Sequence, residues 1–304
     1  MGYRSPVFVF FFLCLAGLLA DPSGARGQSL VTATRSADPV LVGAADIASC
    51  DDLAGAEATA KLIENIPGTV FAAGDLAYPD GSDEQFAKCY GPTWGRFKER
   101  TRPAPGNHEY HKSAASGYSR YFGQAAGDPG KGYYSYELGT WHIVVLNSEC
   151  QNVGGCDAGS TQVAWLKQDL AEHAVPCSLA YFHKPLFSSG GRHGNDPEIR
   201  PLWEVLYAAG VEVVINGHDH DYERFTPQDP DGHADAKRGI REFVVGSGGK
   251  NSHRKMGKVQ PNSEVRNDDT FGVLKLTLHA NRYDWEFVPE VGKTFTDSGS
   301  GSCH

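Results

Sequence analysis

Four short apolar runs in this chain each end on a polar cluster. Residues 40–45 precede Asp46, 70–73 precede Gly74-Asp75, 179–182 precede His183, and 211–215 lead to Gly217-His218-Asp219-His220. Runs of this length bounded by turn residues read as buried strands, and side chains just past a strand's carboxyl end enter the crevice of an α/β sheet. Residues 39–47 are expected as the first strand, 54–66 as an amphipathic helix stopped by Pro67-Gly68, and 69–74 as the second strand, which makes a parallel strand–helix–strand unit. A hairpin is expected from 133–138 and 141–147 about Gly139-Thr140. The rhythm resumes with a helix at 161–173, a strand at 177–182, a helix at 197–209 and a strand at 211–216. Further on, strands are expected at 241–245, 272–279 and 283–288. Residues 260–270 read as loop, and 298–302 as a flexible tail unless Cys303 ties it down. One sheet edge can gather all the polar clusters.

The chain has 304 residues, 40% hydrophobic and 21% charged, enough for one large core in an ordinary soluble composition. Its net charge of -9 argues against a nucleic-acid-binding surface, which needs a basic face to neutralise backbone phosphates. Any attraction for phosphate must come from a local positive centre, and bound metal ions are the obvious candidates. At the amino terminus Arg4 precedes an apolar stretch over 7–20, followed by small and polar residues through Gln28. That stretch is shorter than the roughly 20 residues needed to span a bilayer, so it reads as a cleaved secretory signal, with no stable membrane insertion afterwards. Of seven cysteines Cys14 lies in this segment, leaving Cys50, Cys89, Cys150, Cys156, Cys177 and Cys303. No pair has zinc-knuckle spacing, and an exported chain with an even set is expected to form disulfides. Cys150 and Cys156 are placed to close a small loop, but about 15 connectivities remain open.

The polar clusters suit metal chemistry. Asp75 at a strand end can offer two oxygens to two cations, the simplest way to hold a metal pair. His218 and His220 alternate about Asp219, so an extended backbone would point both imidazoles to one side. His183 ends another strand. In Gly106-Asn107-His108-Glu109 the glycine allows a tight turn that brings the Asn107 amide oxygen to a cation and His108 toward a substrate. Tyr78, three residues past Asp75, becomes a ligand only where a strong Lewis acid removes its proton.

Taken in order, Asp46-Ile47-Ala48, Gly74-Asp75-Leu76-Ala77-Tyr78, Gly106-Asn107-His108-Glu109, His183 and Gly217-His218-Asp219-His220 resemble the purple acid phosphatases of the calcineurin-like metallophosphoesterase superfamily. The departure is Ala48, where the family motif has glycine beside the first aspartate. The resemblance implies an α/β fold, a sandwich of two mixed β-sheets flanked by helices (α/β/β/α). It implies a small single-domain form, with 1–27 as signal, 28–38 as linker, 39–290 as catalytic domain and 291–304 as tail. It implies that Asp46, Asp75, Tyr78 and His220 hold ferric iron, and that Asp75, Asn107, His183 and His218 hold a divalent iron, zinc or manganese. His108 is similar to the histidine that contacts substrate phosphate or leaving group, and His193 to the family's other acid–base histidine. The implied activity is a secreted acid phosphatase that hydrolyses small phosphomonoesters by in-line attack of metal-bound hydroxide. A secreted phosphodiesterase or nucleotide hydrolase on the same core is the nearest rival, and Tyr78 weighs against it. A catalytically silent binding module is the other, opposed by the intact set of seven donors.

Overall fold

Single-residue alternation along three strands sets the layers of this fold. Ile143 and Val145, Leu179 and Tyr181, and Val213 and Ile215 belong to one apolar core, whereas Val144, Ala180 and Val214 between them belong to another. Successive side chains of a strand point to opposite faces, so these strands are buried on both sides. The structure, a computed structural model, describes residues 1–3, 6, 8, 37–111, 113–250 and 255–304. The expected signal and linker lie almost wholly outside the described residues. Asp38–His304 forms one compact unit.

The first sheet has six strands in the order Ser298–Ser302, Arg282–Pro289, Gly272–Leu278, Val40–Ala44, Thr69–Ala73 and Thr101–Ala104. The second has seven, in the order Ser263–Asn267, Tyr222–Phe225, Arg241–Val245, Val213–Asn216, Cys177–Tyr181, Trp141–Val145 and Tyr134–Leu138. The first sheet is parallel over its last three strands and antiparallel over the rest, whereas the second has a parallel centre flanked by antiparallel strands. Helix Ala54–Glu64 packs Ala56, Ala60 and Ile63 into the first core. Helices Thr161–Glu172 and Arg200–Ala208 cover the second sheet with Leu166, Leu202, Trp203 and Leu206. The result is the expected sandwich of two mixed sheets flanked by helices.

Two expectations are corrected at the sheet edges. The loop expected over 260–270 contains the strand Ser263–Asn267, and the tail expected to be flexible contains the strand Ser298–Ser302. Both are outermost strands of mostly polar or glycine residues, held by main-chain pairing on one side, so they lack the apolar alternation by which a strand is recognised. Ser298–Ser302 pairs with Arg282–Pro289, and a Cys177–Cys303 disulfide ties the segment to the second sheet. The other disulfides join Cys50 to Cys89 and Cys150 to Cys156.

Trp141–Val145 is also bound to its helix by charge. His142, 1% exposed, places Nδ1 2.7 Å from Glu137 Oε1 and Nε2 2.8 Å from Asp169 Oδ2, and Asp169 belongs to helix Thr161–Glu172. Only the imidazolium has two N–H donors to satisfy two carboxylates. Burial works to lower its pKa, but Asp169 and Glu137 outweigh that and raise it. A raised folded-state value stabilises the fold fully below about pH 6.5, the unfolded value, and that contribution is lost as pH rises through the folded value. Denaturation midpoints should therefore fall as pH rises above about 6.5, and His142→Gln should remove part of that slope. An identical slope in the variant would assign the pH dependence to other groups.

Candidate metal centre

The polar clusters converge where parallel strands of both sheets end. Asp46 follows Val40–Ala44, Asp75 follows Thr69–Ala73, His183 follows Cys177–Tyr181, and His218 and His220 follow Val213–Asn216. The remaining cluster also has a strand that was not anticipated. Thr101–Ala104 runs into the short helix Asn107–Tyr110. Its Pro103 disguises it as a break, and is tolerated because this strand lies at the sheet edge.

The donors fall into two groups that share Asp75. In the first, the Tyr78 hydroxyl lies 2.7 Å from Asp46 Oδ1, 3.2 Å from Asp75 Oδ2 and 3.2 Å from His220 Nε2. In the second, His183 Nε2 lies 3.1 Å from Asp75 Oδ2 and 3.2 Å from His218 Nδ1. Nδ1 of His183 faces the Ala73 carbonyl at 3.0 Å, an arrangement that directs its other nitrogen into the crevice. Asn107 adds an amide oxygen that is buried with no hydrogen-bond partner. Three non-glycine residues here are left-handed, Asp46 at φ 60°, Asp75 at 53° and His218 at 75°, and such strain collects at functional sites. At His218 it corrects the expected extended geometry. The Asp219 N–H donates to the Gly217 carbonyl at 2.9 Å, closing a three-residue turn, and both imidazoles still reach the centre.

Carboxylates dominate the field. Burial works to lower the His183 imidazole, but Asp75, with Asp46 and Glu149 beyond it, pushes it up to about 10. Burial likewise works to raise Asp75, and His183, His108 and His218 hold it well below the usual carboxylate range. Burial, Asp46 and Asp75 raise the Tyr78 phenol well above its ordinary value. This is a site that draws positive charge to itself.

Glu109 is a residue of the motif that sequence reasoning left without a role. It is fully buried, and its carboxylate accepts the N–H groups of Asp75 and Leu76 at 2.9 Å, of Ala77 at 3.3 Å and of Gly106 at 2.9 Å. It thereby ties the Asp75 turn to the Asn107 turn. Gly106 is required at that junction, because a Cβ there would lie 2.3 Å from Asp75 Oδ1. Glu109→Gln keeps the shape but puts an N–H₂ among N–H donors. It is expected to weaken metal retention or activity by about 10- to 100-fold, the usual cost of losing an outer-shell partner. Metal titration of the variant checks this, and wild-type affinity with wild-type turnover would refute it.

A cleft of about 350 Å³ opens onto the centre, lined in part by His108, His111, Arg192, His193 and Lys250. His108 Nδ1 lies 2.6 Å from the Pro79 carbonyl, and its ring packs 4.3 Å from that of Tyr78. His193 also lines the cleft, its ring tilted against that of His218 with centroids 3.9 Å apart. Lys250 Nζ stands 5.1 Å over the Tyr78 ring and hydrogen-bonds the Ser49 hydroxyl. Ala48, the departure from the family motif, is fully buried and pairs with Ala77 in a two-residue parallel bridge, so its methyl is accommodated beside Asp46.

Sandwich and crevice together are those of the metallophosphoesterase fold. Residues 44–222 match the calcineurin-like phosphoesterase family model, more than half of the chain, and the chain belongs to that family. Within it, the chain is similar to purple acid phosphatases. It is 31% identical over 199 residues to purple acid phosphatase 15 of Arabidopsis thaliana, covering 54% of this chain and 37% of the relative. To probable purple acid phosphatase 20 of the same plant it is 27% identical over 234 residues, covering 67% and 53%. The chain thus spans between about a third and a half of the length of these relatives. Among solved structures, purple acid phosphatase PPD1 from yellow lupin superposes with a TM-score of 0.65 at 22% identity, covering 88% of this chain and 54% of that one. GAP50, described as the anchor in the inner membrane complex of Plasmodium, gives 0.66 at 16% identity, covering 88% and 90%. Both share the fold.

Proposed function

We propose that this protein is an extracytoplasmic acid phosphatase with a dinuclear metal centre, acting on small phosphomonoesters. The observation that carries the reading is the pairing of two donor groups across Asp75, with the Asn107 oxygen left buried and unpartnered beside them. In this reading Asp46, Asp75, Tyr78 and His220 hold ferric iron, and Asp75, Asn107, His183 and His218 hold a divalent iron, zinc or manganese. The donor set fits such ions, since carboxylates, imidazoles, a phenol and an unpartnered amide oxygen converge there, and a buried phenol beside two carboxylates would be ionised only by a strong Lewis acid. When bound, the pair supplies Lewis acidity toward phosphate oxygens and an activated water.

The remaining chemistry belongs to the cleft's own side chains. His108 is oriented by the Pro79 carbonyl so that Nε2 faces the crevice, 3.7 Å from Asp75 Oδ2, where it can donate to a phosphate oxygen or the departing alkoxide. His193 lines the same cleft beside His218. Burial lowers the pKa of both imidazoles, so the proton that either would give is present only as the solution becomes acidic, which favours an acid optimum. Three disulfides support an oxidising, extracytoplasmic location, and no described helix is long and apolar enough to cross a membrane. GAP50 shares the sandwich and is described as an anchor, so the donor set, not the fold, argues for catalysis. Elemental analysis with a visible spectrum, combined with turnover of an aryl phosphate and the matching diester across pH, tests the proposal. Two metal equivalents, a charge-transfer band and monoester turnover strongest in acid are expected. Preference for the diester would support the rival phosphodiesterase, and full metal without turnover would support a silent module.

A further inference from the structure

The Gly217-His218-Asp219-His220 turn faces two ways. His218 and His220 reach the crevice, while Asp219 between them points into the glycine-rich loop that carries His193. Asp219 is 3% exposed, and its carboxylate accepts three hydrogen bonds from that loop: Ser188 Oγ at 2.6 Å, His193 N–H at 3.2 Å and Gly194 N–H at 2.9 Å. Ser188 Oγ in turn accepts the Gly190 N–H at 2.9 Å. Packing is tight enough that a Cβ on Gly190 would come within 1.9 Å of the Asp219 carboxyl carbon. A second carboxylate, in strand Tyr222–Phe225, completes the fixture. Glu223, fully buried, accepts the Ser189 N–H at 2.7 Å and the Ser189 hydroxyl at 2.6 Å.

Two buried carboxylates that satisfy consecutive main-chain and hydroxyl donors do more than a surface loop needs. Left alone, a run such as Ser188-Ser189-Gly190-Gly191-Arg192-His193-Gly194 has few conformational restraints, because its glycines forfeit the most backbone freedom on ordering. Here it is held with the His193 ring 3.9 Å from that of His218. We propose that Asp219 and Glu223 are positioning residues that lock the 188–194 loop, so that His193 is fixed over the centre by the same turn that supplies His218 and His220. The inference rests on the phosphatase reading for what His193 does, but not for how its loop is held. The coupling is geometric: a shift of the turn moves the two imidazoles and the His193 backbone together.

Asp219→Asn and Glu223→Gln, each prepared with full metal, test it. Hydrogen–deuterium exchange over residues 188–194, read by mass spectrometry, should accelerate about tenfold or more in Asp219→Asn, since hydrogen bonds to a charged acceptor are being weakened. Its kcat should fall by about 10- to 100-fold with KM within a few-fold and metal content near native. In a His193→Ala background the same substitution should cost almost nothing further, because positioning an absent side chain has no value. Glu223→Gln, farther from the metal-binding histidines, should repeat the pattern more weakly, and Gly190→Ala should reproduce it by steric displacement. The proposal is overturned if the loop exchanges faster while kcat is unchanged, if the loss persists in full without His193, or if Asp219→Asn releases metal. If the wild-type protein turns over no phosphate ester at full metal, the phosphatase reading fails, and the exchange arm still decides whether these carboxylates hold the loop.

Discussion

Asp75→Asn is expected to release both metal ions and to lower turnover by more than the roughly 10²-fold that loss of an outer-shell partner costs. Asp75 is the one residue common to both donor groups, facing the Tyr78 hydroxyl and His183 Nε2 through a single oxygen. The substitution is well suited to isolating charge. Asparagine has nearly the same shape and tolerates the left-handed backbone that Asp75 adopts at φ 53°. Asn107→Ala is the matched control, since it removes a donor from the second group alone and should leave the first ion in place. Elemental analysis and kcat of the two variants decide the matter. Comparable metal occupancy and near-native turnover in Asp75→Asn would remove the bridging role.

His108→Ala and His193→Ala should each lower turnover by about 10²- to 10⁴-fold, the usual worth of a positioned acid or base, while retaining metal. One ring packs beside Tyr78 and the other beside His218, and neither belongs to the two donor groups around Asp75. Burial lowers both imidazoles, so the proton each would give is lost as pH rises, and removing either ring should flatten the fall in rate with rising pH. A variant that loses a metal equivalent would identify that histidine as a ligand. One with unchanged rate and profile would show that the ring takes no part.

Much of the sandwich was legible because its central strands are apolar on both faces and end abruptly in polar residues. Arg241–Val245 has the bounds expected, and helix Ala54–Glu64 stops just ahead of its Pro67-Gly68 signal. The edges were less legible. Ser263–Asn267 and Ser298–Ser302 bury little apolar surface and are defined by backbone pairing, to which every residue contributes alike. Thr101–Ala104 was hidden by Pro103, whose missing N–H matters only where a second strand would need it.

What the sequence determined by itself is the inventory and order of the chemistry: polar donors set at the carboxyl ends of buried strands, an even set of cysteines outside the amino-terminal segment, and a resemblance carried by local motifs. These are local properties, written in residue type and spacing. The resemblance implied which donors meet, but only the tertiary structure supplied the geometry by which they do. It brought Asp46 and His220 to one phenol across most of the chain, chose one disulfide pairing among the open connectivities, and turned Asp46, Asp75 and His218 into left-handed conformations. It also gave Glu109 and Asp219 their work as acceptors of backbone N–H groups. The reason is physical, since a buried carboxylate is defined by the donors that surround it, and those donors come from loops whose positions are set by the packing of two sheets.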